Sequence, residues 1–187
     1  MPKRLARIVR WSLLILVLFA VLLALRAPST ELVAVSLEAA KSFDEKIAAI
    51  EQAHQQNTRL VVHITETELS SKLQQSIEAS SASSHGSVTL TMASVHLEDD
   101  RFVGLFTLNV GGKELYLTMV GTLGVLEGRL QIRPSEVKLG ALPVPTWTIH
   151  SLLQKQFDSP ASRERMQLPP SVKDVRIENG ELLVEAQ

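Results

Sequence analysis

The chain contains no cysteine. That excludes disulfides, thiolate metal sites, a cysteine nucleophile and a lipobox-type lipidation site. Aromatic side chains are scarce as well, 4% of 187 residues, so any interior must be built from Leu, Val, Ile and Met. Basic charge thins out after the N-terminus. Lys3, Arg4, Arg7, Arg10 and Arg26 are five of the 19 Lys and Arg, and residues 1–26 hold no acid. Residues 27–187 therefore carry 14 bases against 20 acids, a net charge of −6. Such a region argues against nucleic acid, whose phosphates need Lys and Arg to neutralise them.

Catalytic motifs are missing too. No G-x-S-x-G, Walker loop, H-E-x-x-H or dinucleotide glycine pattern occurs. Ser135-Glu136-Val137-Lys138 has the serine–lysine spacing of penicillin-recognising enzymes, but it sits at a strand entry. There, residues three apart point to opposite faces. The histidines His54, His63, His85, His96 and His150 are scattered, none with another His at ligand spacing; surface or hydrogen-bonded roles are expected for His63 and His96. Glu98, Asp99 and Asp100 lack calcium-loop spacing and read as a solvated turn. A non-enzyme without cofactor or metal is the expectation.

What is present begins with "MPKRLARIVRWSLLILVLFAVLLALRAPS". Ile8 to Leu25 is interrupted only by Arg10 and Ser12, slightly short of the roughly 20 residues that usually span a bilayer. Arg10 and Arg26 can extend their stems to the headgroups, and Trp11 suits the interface. A cleavable signal peptide would need small residues near its cut, but Leu25 occupies the −3 position of the only plausible Ala site and Pro28 follows it. Four bases precede the charge-free stretch Trp11 to Leu25 and one follows. The expectation is a single-pass, uncleaved cell-membrane anchor with the N-terminus cytoplasmic and the rest exported. Three regions follow: 1–27 as basic tip and anchor, 28–58 as a juxtamembrane amphipathic helix, and 59–187 as the exported domain.

Leu37, Ala40, Phe43, Ile47, Ile50 and His54 recur at helical spacing, predicting a helix from about Val35 to Gln56. "LVVHI" (60–64) reads as a strand. "TETELSSKLQQSI" has Thr65 and Glu68 at capping-box spacing, with Leu69, Leu73 and Ile77 in one stripe. "ASSASSHGS" (79–87) reads as a loop. The period then changes. Val88, Leu90 and Met92 alternate with threonines, and Val95 and Leu97 resume out of step, which predicts a bulge near Ala93–Ser94. Gly111-Gly112, Glu127-Gly128 and Asn179-Gly180 mark hairpin tips.

"SEVKLGALPVPTWTIHSLLQKQF" ends a strand at Pro143 and Pro145 and opens a helix carrying Trp147, Ile149, Leu152, Leu153 and Phe157. The fold class expected is α+β: a curved antiparallel meander of about seven strands covered by two or three helices. This late helix is the expected lid. A groove between sheet and lid would be lined by Leu115, Leu117, Met119, Leu123, Trp147, Leu152 and Phe157. A lipid or other amphiphile is its expected ligand, with a cell-envelope scaffold that recruits protein partners as the alternative.

The order of "TETELSSKLQQSI", "GRLQIRPSEVKLGALPVP", "TWTIHSLLQKQF" and "LPPSVKDVRIENGELLVE" resembles the YpmS-like family of membrane-anchored bacterial proteins, across roughly residues 60–185. In overall plan the chain is also similar to exported lipid-binding domains of the LmeA type, which look like half of a tubular lipid-binding fold. That likeness implies lipid binding. The polar "ENGE" turn and the serine-rich loop depart from the YpmS pattern, and neither family supplies catalytic residues to carry over.

Overall fold

The computed structural model describes residues 19, 22–24, 26–27, 31–81, 88–145 and 167–187. The fold is α+β, with eight antiparallel strands in two sheets among the described residues. The apolar run 8–25 falls mostly outside the described residues, as does the helix expected after Pro145, with Trp147, Leu152 and Phe157. Among the described residues no helix is long and apolar enough to cross a membrane.

Helix α1 (Leu37–Gln55) starts two residues later than the hydrophobic stripe suggests. Ser36 is the reason: its Oγ accepts a hydrogen bond from the Ala39 N–H at 3.1 Å and caps the first turn. Strand β1 (Leu60–Thr65) leads directly into helix α2 (Glu66–Ser81). The expected capping box forms there. Thr65 Oγ1 accepts from the Glu68 N–H at 3.3 Å, and Glu68 Oε2 accepts from the Thr65 N–H at 2.9 Å. Helix α2 runs four residues past Ile77, through the start of the stretch expected to be loop.

The expectation of one meander of about seven strands is corrected. Strands β2 (Val88–Glu98), β3 (Arg101–Val110), β4 (Lys113–Leu126), β5 (Arg129–Leu139) and the short β6 (Leu142–Pro143) form a five-stranded sheet in sequence order. β7 (Val172–Glu178) and β8 (Glu181–Ala186) make a second sheet with β1, ordered β1-β8-β7. The turns are as expected: Gly111, Gly112, Glu127, Gly128, Asn179 and Gly180 all have positive φ, the backbone that two-residue hairpins require.

Strand β1 does not extend the large sheet because α2 occupies that edge. The Leu97 N–H donates to Glu66 Oε1 (2.5 Å), the Val95 N–H to Ser70 Oγ (2.9 Å) and the Ala93 N–H to Gln74 Oε1 (3.4 Å). Ser70 Oγ also donates to the Val95 carbonyl, and Gln74 Nε2 to that of Thr91. Four helical residues rise about 6 Å and two strand residues about 6.8 Å. Side chains at 66, 70 and 74 therefore meet successive outward-facing backbone groups of β2. An edge that would otherwise recruit another strand is satisfied within the chain.

The β2 bulge lies between Leu90 and Met92, earlier than expected. Slipping there lets Leu90, Ala93, Val95 and Leu97 share the inner face. A second irregularity, between Val120 and Gly121 in the β4–β5 register, leaves Ser135 out of the pairing. Its hydroxyl donates to the Val120 carbonyl at 3.2 Å, and Lys138 pairs with Glu136 at 2.7 Å. The serine–lysine spacing is thus spent on sheet geometry. Val137 faces the core and is buried. The core gathers Ile50, Val62, Ile64, Val95, Leu97, Phe102, Val175, Ile177 and Val184 between α1 and the two sheets.

Candidate functional site

The inner side of the three-stranded sheet is covered by α1. Its Phe43, Ile47 and Ile50, at spacings of four and three, point down toward Ile64 of β1 and Leu182 and Val184 of β8. Strand β4 reaches five residues beyond Gly121, the partner of Phe102 near the start of β3. The arm it forms with β5 places Leu123 and Leu130 beneath β7. Leu69 from the first turn of α2, together with Leu168 and Pro169, completes the wall with Val172 and Val175.

These side chains do not fill the space between them. They enclose a partly open cavity of about 280 Å³. Glu51, exposed at the rim, is the one charged side chain among the described lining residues; the wall itself is hydrocarbon. Water in such a space would lack the two to four polar partners that hold buried waters in place. Two further hollows among the described residues have more polar walls. One of about 240 Å³ lies between Val35–Ala40 and the Ser71–Glu78 side of α2, and one of about 260 Å³ between Leu32, Leu105 and Tyr116.

A polar cluster pins the covering helix. Glu68 is only 7% exposed, and its carboxylate accepts from Ser42 Oγ at 2.5 Å and from Lys46 Nζ at 2.7 Å, both on α1. Lys46 also donates to the His63 carbonyl at 2.6 Å, and Lys72 of α2 pairs with Asp44 at 2.8 Å. Burial alone would raise the Glu68 pKa, but the hydrogen bonds from Lys46, Ser42 and the Thr65 backbone outweigh it and bring it down to about 2. The carboxylate is therefore held ionised, as the anchor of α1 over the cavity.

The residues expected to form a groove separate. Leu115, Leu117, Met119 and Leu123 do share the inner face of β4. Only Leu123 lines the apolar cavity; Met119 packs against the core and Leu117 borders the hollow near Tyr116. Trp147, Leu152 and Phe157 lie outside the described residues. The α1 stripe that roofs the cavity was visible in the sequence but pointed to a juxtamembrane helix, and nothing local indicated that β8 would meet β1. His63 and His96 take hydrogen-bonded surface positions, His63 Nδ1 at 2.8 Å from Glu181 and His96 Nε2 at 2.7 Å from the Glu31 carbonyl. Among the described residues no group of three or more His, Asp or Glu side chains could hold a metal ion. No family model, curated protein or solved structure matches this chain.

Proposed function

We propose that this chain is a membrane-anchored, exported domain that binds a lipid or another amphiphile, with the alkyl portion in the cavity beneath α1. The hydrocarbon wall of that cavity is the observation that supports the reading. At roughly 30 Å³ per methylene, similar to water in the liquid, its volume suits about nine methylenes. Each contributes about 0.8 kcal/mol on burial, roughly 7 kcal/mol in all before association costs. The exposed Glu51 marks the mouth, where the polar end of an amphiphile would meet solvent. The two-sheet α+β plan is compatible with half of a tubular lipid-binding fold, and the apolar run 8–25 supplies the anchor in this reading.

Protein extracted from membranes in mild detergent, examined by native mass spectrometry, should carry a lipid-sized adduct and should bind a fluorescent fatty acid. Leu123→Trp fills the cavity and should abolish that binding, whereas Leu115→Trp, on the same face of β4 but outside the cavity, should not. No adduct and no binding would refute the reading. Loss at Leu115 but not Leu123 would move the ligand to the sheet's other half.

A further inference from the structure

The C-terminal end of the candidate span and the residues that follow it are fastened to the five-stranded sheet rather than leading away from it. Residues 22–24 are helical, and the Leu23 carbonyl accepts from the Ala141 N–H at 2.8 Å as well as from the Arg26 N–H at 3.2 Å. Carbonyls at a helix C-terminus have no partner within the helix, and here the β5–β6 turn supplies one. Gly140 permits the approach. A Cβ there would collide with both the Leu23 and Ala24 carbonyl oxygens. Further on, the Glu31 carbonyl meets His96 Nε2, the Val33 N–H donates to Ser94 Oγ at 2.9 Å, and the Ser36 N–H donates to Ser71 Oγ at 3.0 Å. Just before the dock, Phe19 and Leu22 remain 62% and 60% exposed.

The two ends of the sheet also differ in charge. The end next to the dock holds the glycine hairpin tip and the C-terminal half of α2, with Arg26, Lys113 and Lys138 balanced by Glu78, Glu114 and Glu136. At the other end, the β2–β3, β4–β5 and β7–β8 turns carry six acids against Arg101 and Arg129. A bilayer with an anionic surface repels the second end and tolerates the first.

We propose that the domain is held in one orientation on the bilayer, with the Gly111-Gly112 hairpin tip toward the headgroups and the acidic turns away. This rests on the membrane-anchor part of the proposed function and is independent of ligand binding. Phe19 and Leu22 are then covered by lipid. The cavity at Leu123 stands about 20 Å further along β4 than Leu117, six residues at about 3.3 Å each. An alkyl chain reaching it must leave the bilayer altogether.

The natural absence of cysteine makes the test direct. Lys113→Cys and Asp100→Cys, each labelled with a small fluorophore, are reconstituted in vesicles whose lipids carry a headgroup nitroxide quencher. Lys113→Cys should be quenched at least threefold more strongly than Asp100→Cys. Adding Gly140→Val, which collides with the Leu23 and Ala24 carbonyls, should reduce that ratio toward one. Equal quenching of the two labels, or stronger quenching at Asp100, overturns the fixed orientation. Failure of the protein to float with the vesicles refutes the anchor and this inference with it, whereas loss of fatty-acid binding alone leaves the orientation standing.

Discussion

The two sheets are built in opposite ways. The five-stranded sheet is a chain of consecutive hairpins, β2 to β6, each strand paired with its neighbour in sequence. The three-stranded sheet closes the chain on itself, pairing Leu60 with Ala186 and Thr65 with Glu181. Consecutive hairpins close only short loops, whereas pairing β1 with β8 closes a loop of more than a hundred residues at a larger entropic cost. The cavity lies where the two meet. The long-range sheet supplies its floor, α1 its roof, and only the overhanging β4–β5 arm comes from the local one.

That contrast can be broken most directly at its seam. Ile64 is 1% exposed in the three-stranded sheet, and Ile64→Asp buries an unpaired charge there. The loss should exceed about 4 kcal/mol and abolish the cooperative thermal transition; a folded variant would show that the small sheet is dispensable. Ile50→Ala, in the roof, should cost about 2–5 kcal/mol by urea denaturation. Parent and variant should both gain stability when a fatty acid is present, because a ligand that binds only the folded state stabilises it.

Glu68 comes next. Its folded pKa of about 2 lies below the ordinary value of 4.5, so its contribution is complete above pH 4.5 and lost as pH falls toward 2. The amount is about 3 kcal/mol. Glu68→Gln should lower stability at pH 7 by a similar amount and flatten the profile between pH 4.5 and 2. An unchanged acid profile would show that the carboxylate does not fasten α1.

Ser70→Ala removes both hydrogen bonds that Ser70 Oγ makes, to the Val95 N–H and carbonyl at the protected edge, and should cost about 1–3 kcal/mol. Faster amide exchange confined to β2 would accompany it. At the small end, Arg176 pairs with Asp174 and Glu178 on the open face of the three-stranded sheet. Arg176→Ala should leave Tm unchanged, since exposed pairs of this kind add little.

How much could be read in advance follows the same division. Gly111-Gly112, Glu127-Gly128 and Asn179-Gly180 announced their turns because positive φ is a property of a few residue types. The Thr65–Glu68 capping box was legible because both partners sit within one helical turn. The partners of Glu68 were not: Ser42 and Lys46 lie on another helix, and nothing in either segment encodes the meeting. The bulge lies earlier in β2 than the alternation predicts for a related reason. Alternation marks that a slip occurs, while packing of Ala93 on the inner face decides where.

From its sequence alone this protein determined the two amphipathic helices, the hairpins, the acid-rich character beyond residue 26 and the aliphatic makeup of its interior. Each depends on neighbours a few residues apart, where side-chain period and turn chemistry act directly. Tertiary structure alone decided that the strands divide into two sheets, that α1 lies over the smaller one and that the apolar walls stop short of contact. Those outcomes depend on which surfaces meet across the whole chain, and a hydrophobic stripe specifies that it must be covered without specifying by what.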